Sequence, residues 1–207
     1  MKISFSVVPF PIFGFVSLHS SAQTTKTGAT NGKKLYIDVH QLEPGKVKFE
    51  DVATAHAKDL AVEKKHGVHV INYWIDEEQG LVYCLSSAGD TSSVRKTQAE
   101  AQGLLPAYTY EVTDGAAAPL TGNKKLFLDI HKMGAGNVTA TTVANAHKKD
   151  LAVQGKYGVN FIDYCVDEKA RVVLCLSEAA DSDAVIKMHK EAHGLIPVEV
   201  GKVKQGA

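Results

Sequence analysis

Apolar and polar positions change period along the chain, and the changes mark out its elements. Leu35, Ile37 and Val39 alternate with Tyr36, Asp38 and His40, a period of two that predicts a strand. From Phe49 to His66 the apolar residues return at three- and four-residue spacing, and Gly67 closes the run where a helix C-cap belongs. Val68–Asp76 and Leu81–Ser86 read as strands joined by a short acidic turn containing glycine, hence a hairpin. Asp90 is placed to cap a second helix that ends at Gly103. Leu104-Leu105-Pro106 then leads into a last strand over Tyr108–Val112.

The whole pattern then returns without a gap. The motif A-H-x-K-D-L-A-V occurs as Ala55–Val62 and as Ala146–Val153. His40 matches His131, His56 matches His147, Cys84 matches Cys175 and Pro106 matches Pro197, at a constant offset (131 − 40 = 91). A fixed period overrides any single-domain reading. Repeat one spans residues 33–112 and repeat two residues 124–203. Residues 113–123 form a turn-rich linker, residues 23–32 a flexible leader and residues 204–207 a tail. Each repeat has the order β-α-β-β-α-β, which predicts an α+β fold of two tandem ferredoxin-like units, each with two helices on one face of a four-stranded antiparallel sheet. The other sheet face needs cover. Two units in one chain can cover each other, so an intramolecular pseudo-dimer is expected. Leu35, Ile37 and Val39 are expected to face the helices. Tyr36, Asp38 and His40 would then face the open side, bringing Asp38, His40, Asp129 and His131 into a shared interior with Tyr73 and Tyr164 near them.

Composition narrows the partners. Lys plus Arg and Asp plus Glu number 23 each, so no charge excess draws the chain to nucleic acid or to an anionic membrane. The N-terminus departs from the rest. Lys2, the apolar stretch Ile3–Leu18 and the small residues Ser20-Ser21-Ala22 read as a cleavable secretory signal over residues 1–22. The stretch is short and broken by Pro9 and Pro11, which argues against an uncleaved spanning helix. The expected location is periplasmic or extracellular, with no membrane attachment after cleavage. Three cysteines cannot all pair within one chain. Cys165 and Cys175 flank one hairpin and are open to pairing across it, whereas Cys84 reads as a buried thiol. Asn137-Val138-Thr139 is a glycosylation sequon, meaningful only in a eukaryotic secretory pathway. His66 and His69 read as surface residues.

The chemistry sits in histidines on apolar faces. At about 100° per residue, Phe49, Val52, Ala53, His56 and Leu60 share one helix face, and Ala140, Val143, Ala144, His147 and Leu151 do so in repeat two. Asp59 and Asp150 follow their histidines at i+3, within reach. On the last helix Val185, Ile186, Met188 and Ala192 surround His189, with His193 at i+4 on the edge. Two histidines at that spacing can share one metal ion. A buried neutral imidazole needs partners for both nitrogens, and one aspartate serves only one. A metal would serve the other, with nickel, copper or zinc suiting such donors. The competing reading is a set of satisfied core histidines, each paired with its i+3 aspartate. In repeat one Gln98 and Gln102 replace His189 and His193. A site there lacks two donors, and either it has decayed or Gln98 only hydrogen-bonds His56. Asp38-x-His40 and Asp129-x-His131 form a second constellation, either functional or a polar network that fixes how the repeats dock.

These motifs together resemble the small bacterial nickel-binding, nickel-responsive proteins of ferredoxin-like fold. The resemblance rests on Asp129–His131, Ala146–Leu151, Leu174–Ala179 and His189–Pro197. Repeat one keeps Asp38–His40, Ala55–Leu60 and Tyr83–Ser86 but departs at Ser87, Gln98 and Gln102. The resemblance implies a nickel-binding ferredoxin-like homodimer whose subunits are fused here, and it leaves homo-oligomers of the fused chain open. The expectation is an exported, non-enzymatic transition-metal protein, nickel first and zinc or copper next, with its better site in repeat two. His147, His189 and His193 would be ligands there, and Asp150 a ligand or an orienter of one. Asp129 and His131, with His56, His40 and Asp38 in repeat one, complete the candidate metal residues. A rival expectation is a small-molecule enzyme using Asp129 and His131 as an acid/base pair at the inter-repeat interface. A third is a structural envelope protein.

Overall fold

The computed structural model describes residues 24–25, 32–134 and 138–207. The expected signal and Asn137 of the sequon lie outside the described residues. Repeat one builds β1 (Lys34–Gln41), α1 (Phe49–Val62), β2 (His69–Asp76), β3 (Leu81–Ala88), α2 (Thr91–Gln102) and β4 (Tyr108–Asp114). Repeat two builds β5 (Lys125–Lys132), α3 (Ala140–Val153), β6 (Asn160–Asp167), β7 (Val172–Ala179), α4 (Ser182–Ala192) and β8 (Glu199–Gly206).

The helix ends follow from their residues. The Asp90 carboxylate accepts from the Ser93 N–H at 2.8 Å and Asp181 accepts from the Ala184 N–H at 2.9 Å, each satisfying a first-turn donor that has no partner within the helix. α1 passes into a 3-10 turn, Glu63–His66, and stops at Gly67 with φ of 67°. The left-handed conformation there suits glycine.

Each repeat is a four-stranded antiparallel sheet, in the orders β2-β3-β1-β4 and β6-β7-β5-β8. The last strand of each repeat is longer than its own sheet requires. β4 extends through Thr113 and Asp114, which pair with Val166 and Cys165 of β6. β8 extends through Lys204–Gly206, which pair with Ile75, Trp74 and Tyr73 of β2. These two seams close the eight strands into one barrel, so each sheet gains a partner at the edge it would otherwise expose. The pseudo-dimer is therefore joined by backbone hydrogen bonds as well as by a shared core.

That core corrects the expected facing of the strands. Leu35, Ile37 and Val39 lie inside the barrel with Leu85, Leu128, Ile130, Leu174 and Leu176, and no helix residue belongs to this cluster. Tyr36 instead packs with Val94 of α2. Asp38, His40, Asp129 and His131 are buried on the helix side of their own sheets, not in an inter-repeat interior. Period-two alternation states which residues share a face but not which face it is. Here both faces are covered, and the aliphatic set fills the barrel. One further correction concerns α1: its buried residues are Val52, His56 and Asp59, whereas Leu60 is 43% exposed. A hydrogen-bonded carboxylate takes the inward position that hydrophobicity alone assigned to leucine.

Gly115 and Gly206 are repeat equivalents at the two seams. A Cβ on Gly115 would overlap the Tyr164 ring, and one on Gly206 the Tyr73 ring. Gly115→Ala is expected to cost about 1–3 kcal/mol, the usual range for overpacking, read as a lower midpoint in urea unfolding. Gly134→Ala, where nothing lies within 4 Å of the added carbon, is the control. Equal midpoints for the two variants would show that the seam does not constrain Gly115.

Candidate metal centre

The sheet and both helices of repeat two supply the site. Asp129 and His131 are alternate residues of β5 and so point the same way, toward the helices. Cys175 of β7 sits opposite Asp129 in the strand register. α3 contributes His147 and Asp150, and α4 contributes His189, with His193 just beyond its last turn. His189, 1% exposed, is central. Its Nδ1 lies 3.1 Å from Asp150 Oδ1 and 3.3 Å from His193 Nε2. Its Nε2 lies 3.4 Å from Asp129 Oδ2. His131 Nε2 is 3.1 Å from Asp129 Oδ1, and His193 Nε2 is 3.1 Å from Asp150 Oδ1. The His131 and His189 rings meet edge to face at 4.9 Å.

The arrangement holds a proton on His189. Burial works against a charged ring, but the Asp129 and Asp150 carboxylates outweigh burial and raise its pKa to about 9. Burial likewise opposes ionisation of the two aspartates, and their hydrogen bonds to His131, His189 and His193 outweigh it, so both sit below the usual carboxylate value. Burial holds the Cys175 thiol well above its ordinary range, with Asp129 and Asp150 adding to the effect. His193 is fixed from behind: its Nδ1 accepts the Leu195 backbone N–H at 3.1 Å. A neutral ring with that nitrogen as acceptor carries its proton on Nε2, facing Asp150.

His147 packs against aromatic rings beside this network. Its ring contacts Phe161 at 4.5 Å and Tyr164 at 4.8 Å between centroids. A register shift between Phe161 and Asp163 lets residues three apart on one strand face the same helix. Burial lowers the His147 pKa to about 4. His147 and His189 line one cavity of about 40 Å³, together with His131, Asp150, Cys175 and His193. Asp129, His131, Cys175 and His189 each offer a donor atom within 4.8 Å of the others, and so do Asp150, His189 and His193. The strand Asp-His pair and the helix histidines thus form one centre.

Repeat one keeps the frame and loses the chemistry. Gln102 Nε2 donates to Asp59 at 2.7 and 2.9 Å and to Gln98 Oε1 at 3.0 Å, so Gln98 serves Gln102 in place of the expected His56. Asp38 accepts from Thr109 at 2.8 Å; the repeat-two counterpart of Thr109 is Val200, which offers no such donor. Burial still raises Asp38 and Asp59 to about 6 and lowers His40 to about 4. A cavity of about 80 Å³ is lined by His40, His56, Asp59, Cys84 and Gln102. Asp38 Oδ2, His40 Nδ1 and His56 Nδ1 are buried without hydrogen-bond partners.

Sequence reading missed Cys175 as a donor; its match to Cys84 was the available signal, whereas its place opposite Asp129 appears only in the strand register. The Cys165–Cys175 pairing that the sequence leaves open does not occur: Cys165 faces the barrel interior and Cys175 the helices. Side chains on opposite faces of a sheet cannot reach the disulfide geometry. Tyr73 and Tyr164 lie on the helix side against His56 and His147. His69 is exposed as expected, whereas His66 is half-buried against Glu100. A larger cavity, about 1100 Å³, runs along β4 at one seam. It contains no histidine or cysteine, which separates it from this chemistry. No helix among the described residues is long and apolar enough to cross a membrane.

Fold and site define a class: a tandem ferredoxin-like barrel with a buried His-Asp-Cys centre in one half. The model of the nickel-responsive SCO4226-like protein family matches residues 36–112 and 127–203, and the chain belongs to that family. The crystal structure of SCO4226 from Streptomyces coelicolor A3(2) matches at 32% identity over 37% of this chain and 93% of that one, with a TM-score of 0.35. Longer overlaps are found with a candidate monooxygenase from Lactobacillus acidophilus NCFM (10% identity, 84% and 94% of the two chains, TM-score 0.46). A mutant chlorite dismutase from Candidatus Nitrospira defluvii gives 9% identity over 83% and 91%, with a TM-score of 0.43. No curated protein matches the chain significantly.

The proton on His189 gives a test of the geometry. Asp150→Asn removes one of its two carboxylates and is expected to lower its titration midpoint by ~1 unit or more, followed by NMR of the metal-free protein. The sign for stability is fixed by the raised pKa. His189 stabilises the fold fully below its ordinary 6.5, and the contribution is lost as pH rises through about 9. The wild type should therefore lose more stability than Asp150→Asn between pH 7 and 9.

Proposed function

We propose that this is an exported transition-metal-binding protein, with nickel its first ion, zinc or copper next, and its principal site in repeat two. The observation that carries the reading is the buried cluster of Asp129, His131, Cys175 and His189, whose donor atoms all lie within 4.8 Å of one another. Nitrogen, thiolate and carboxylate donors in one cluster fit ions of borderline softness. A bound ion would supply the positive charge that the His189 proton supplies in its absence, and would hold the Cys175 sulfur as thiolate. Asp150 and His193 lie on the far side of His189 as further donors. His147 lines the same cavity. Membership of a nickel-responsive family favours nickel. Repeat one, with Gln98 and Gln102 tied to each other and to Asp59, is a poorer site. Export rests on the signal-like residues 1–22, and recovery of the chain outside the cytoplasm with Gln23 as its first residue would support it.

The inter-repeat Asp-His enzyme has no support, because those pairs do not reach the interface.

Calorimetric titration with nickel tests the reading. Binding at micromolar or tighter concentrations is expected. Asp150→Asn should weaken it by ~10–100-fold, the usual cost of losing a group that orients a ligand, and His189→Ala by more. Absence of binding, or unchanged affinity in His189→Ala, rules the reading out. A local consequence follows for His193. To offer Nε2 to an ion, its proton must move to Nδ1, which faces the Leu195 N–H. With zinc as a diamagnetic probe, the Leu195 amide is expected to shift and exchange faster with solvent. An unaltered Leu195 amide at full zinc occupancy would exclude His193 Nε2 as a ligand.

A further inference from the structure

His189 presents a different donor set to each of its nitrogens. Nε2 faces Asp129, with His131 and Cys175 in the same cluster. Nδ1 faces Asp150 and His193. A neutral imidazole can give a lone pair from only one nitrogen, so one ion satisfies one set and leaves the other unserved. We infer that the centre takes two divalent transition-metal ions bridged by the His189 imidazolate: an inner ion on Nε2 with Asp129, His131 and Cys175, and an outer ion on Nδ1 with Asp150 and His193. This rests on the metal-binding reading above and adds the number of ions and the bridge.

Charge balance supports it. The centre is buried: Asp129 is 0% exposed, His189 1% and Asp150 3%. Uncompensated charge is costly in such a place. Two divalent ions bring four positive charges. The Asp129 and Asp150 carboxylates, the Cys175 thiolate and the His189 imidazolate bring four negative ones. One ion at the inner set, with Asp129, Asp150 and Cys175 ionised and His189 neutral, leaves a net negative charge. Forming the bridge breaks both His189 N–H bonds and the Cys175 S–H bond. Those three protons leave to solvent and the His193 proton moves from Nε2 to Nδ1; four metal–nitrogen bonds (two to His189, one each to His131 and His193), one metal–sulfur bond and bonds to both aspartates form, and no electron changes hands.

Anaerobic titration of the whole chain with cobalt(II) tests the bridge. The expected result is two ions per chain, a sulfur-to-cobalt absorption band, and a paramagnetic resonance signal that weakens as the second equivalent fills because the bridged ions couple. His193→Ala, at the rim of the centre, should bind one ion, keep the sulfur band and lose the coupling. Cys175→Ser should lose the band. His69→Ala, at an exposed histidine outside both cavities, should leave both ions and their coupling intact. Signal intensity that simply adds with the second ion, or coupling that survives in His193→Ala, overturns the bridge. One ion per chain overturns it too while leaving the metal-binding reading standing. No ion at all removes both.

Discussion

Each sheet of this barrel must bury two faces, and its strands alternate, so two different kinds of side chain are driven inward on opposite sides. The aliphatic set, Leu35, Ile37 and Val39 with Leu128 and Ile130, fills the shared interior. Burial of each such side chain contributes about 1.5–3 kcal/mol, and one continuous apolar core holds the two repeats together. The residues between them then have nowhere to go but under the helices. That is how Asp38, His40, Asp129 and His131 come to be buried. The polar centre is the other side of the alternation that builds the barrel.

Much of this was legible in the sequence, and the failures have a common cause. The repeat, the element order, the caps at Asp90 and Gly67 and the inward histidines His56 and His147 all follow from local pattern. What the pattern could not state was which face of β1 met the helices, because in an open-faced unit the aliphatic side packs on them by default. Barrel closure reverses that default. The same uncertainty hid Cys175, whose chemistry depends on lying on the face of Asp129 and opposite to that of Cys165. Leu60 shows the limit of a hydrophobic wheel: Asp59 takes the inward place in its stead because Gln102 satisfies the carboxylate, and such a partner is visible only in three dimensions.

The two halves then answer one electrostatic problem in two ways. A carboxylate at the position of Asp38 or Asp129 is buried in both. In repeat one Thr109 donates to it and a glutamine pair occupies the neighbouring space. The balance is incomplete, since burial still raises Asp38 to about 6. In repeat two Val200 gives nothing, and the histidines give everything: His131 and His189 pull Asp129 below its ordinary value. The histidine solution stores a positive charge beside a thiol and two carboxylates, whereas the glutamine solution stores none. Only the first leaves donor atoms whose protons a cation can displace.

Duplication makes that divergence tolerable. The barrel depends on Gly115 and Gly206 admitting the Tyr164 and Tyr73 rings, on strands that cross the seams, and on the aliphatic interior. None of these involves residues 98, 102, 189 or 193. A substitution at α2 or α4 therefore alters the chemistry beneath one helix pair without loosening the closure. In a symmetric dimer of identical subunits, each change at the site would appear twice and each loss would be complete. In a fused chain one half can keep a buried, protonated histidine, a feature that weakens the fold at high pH, while the other keeps the frame closed. The inequality of the repeats is thus what the covalent link permits: one core shared by both halves, and a centre whose full histidine set stands in the second half.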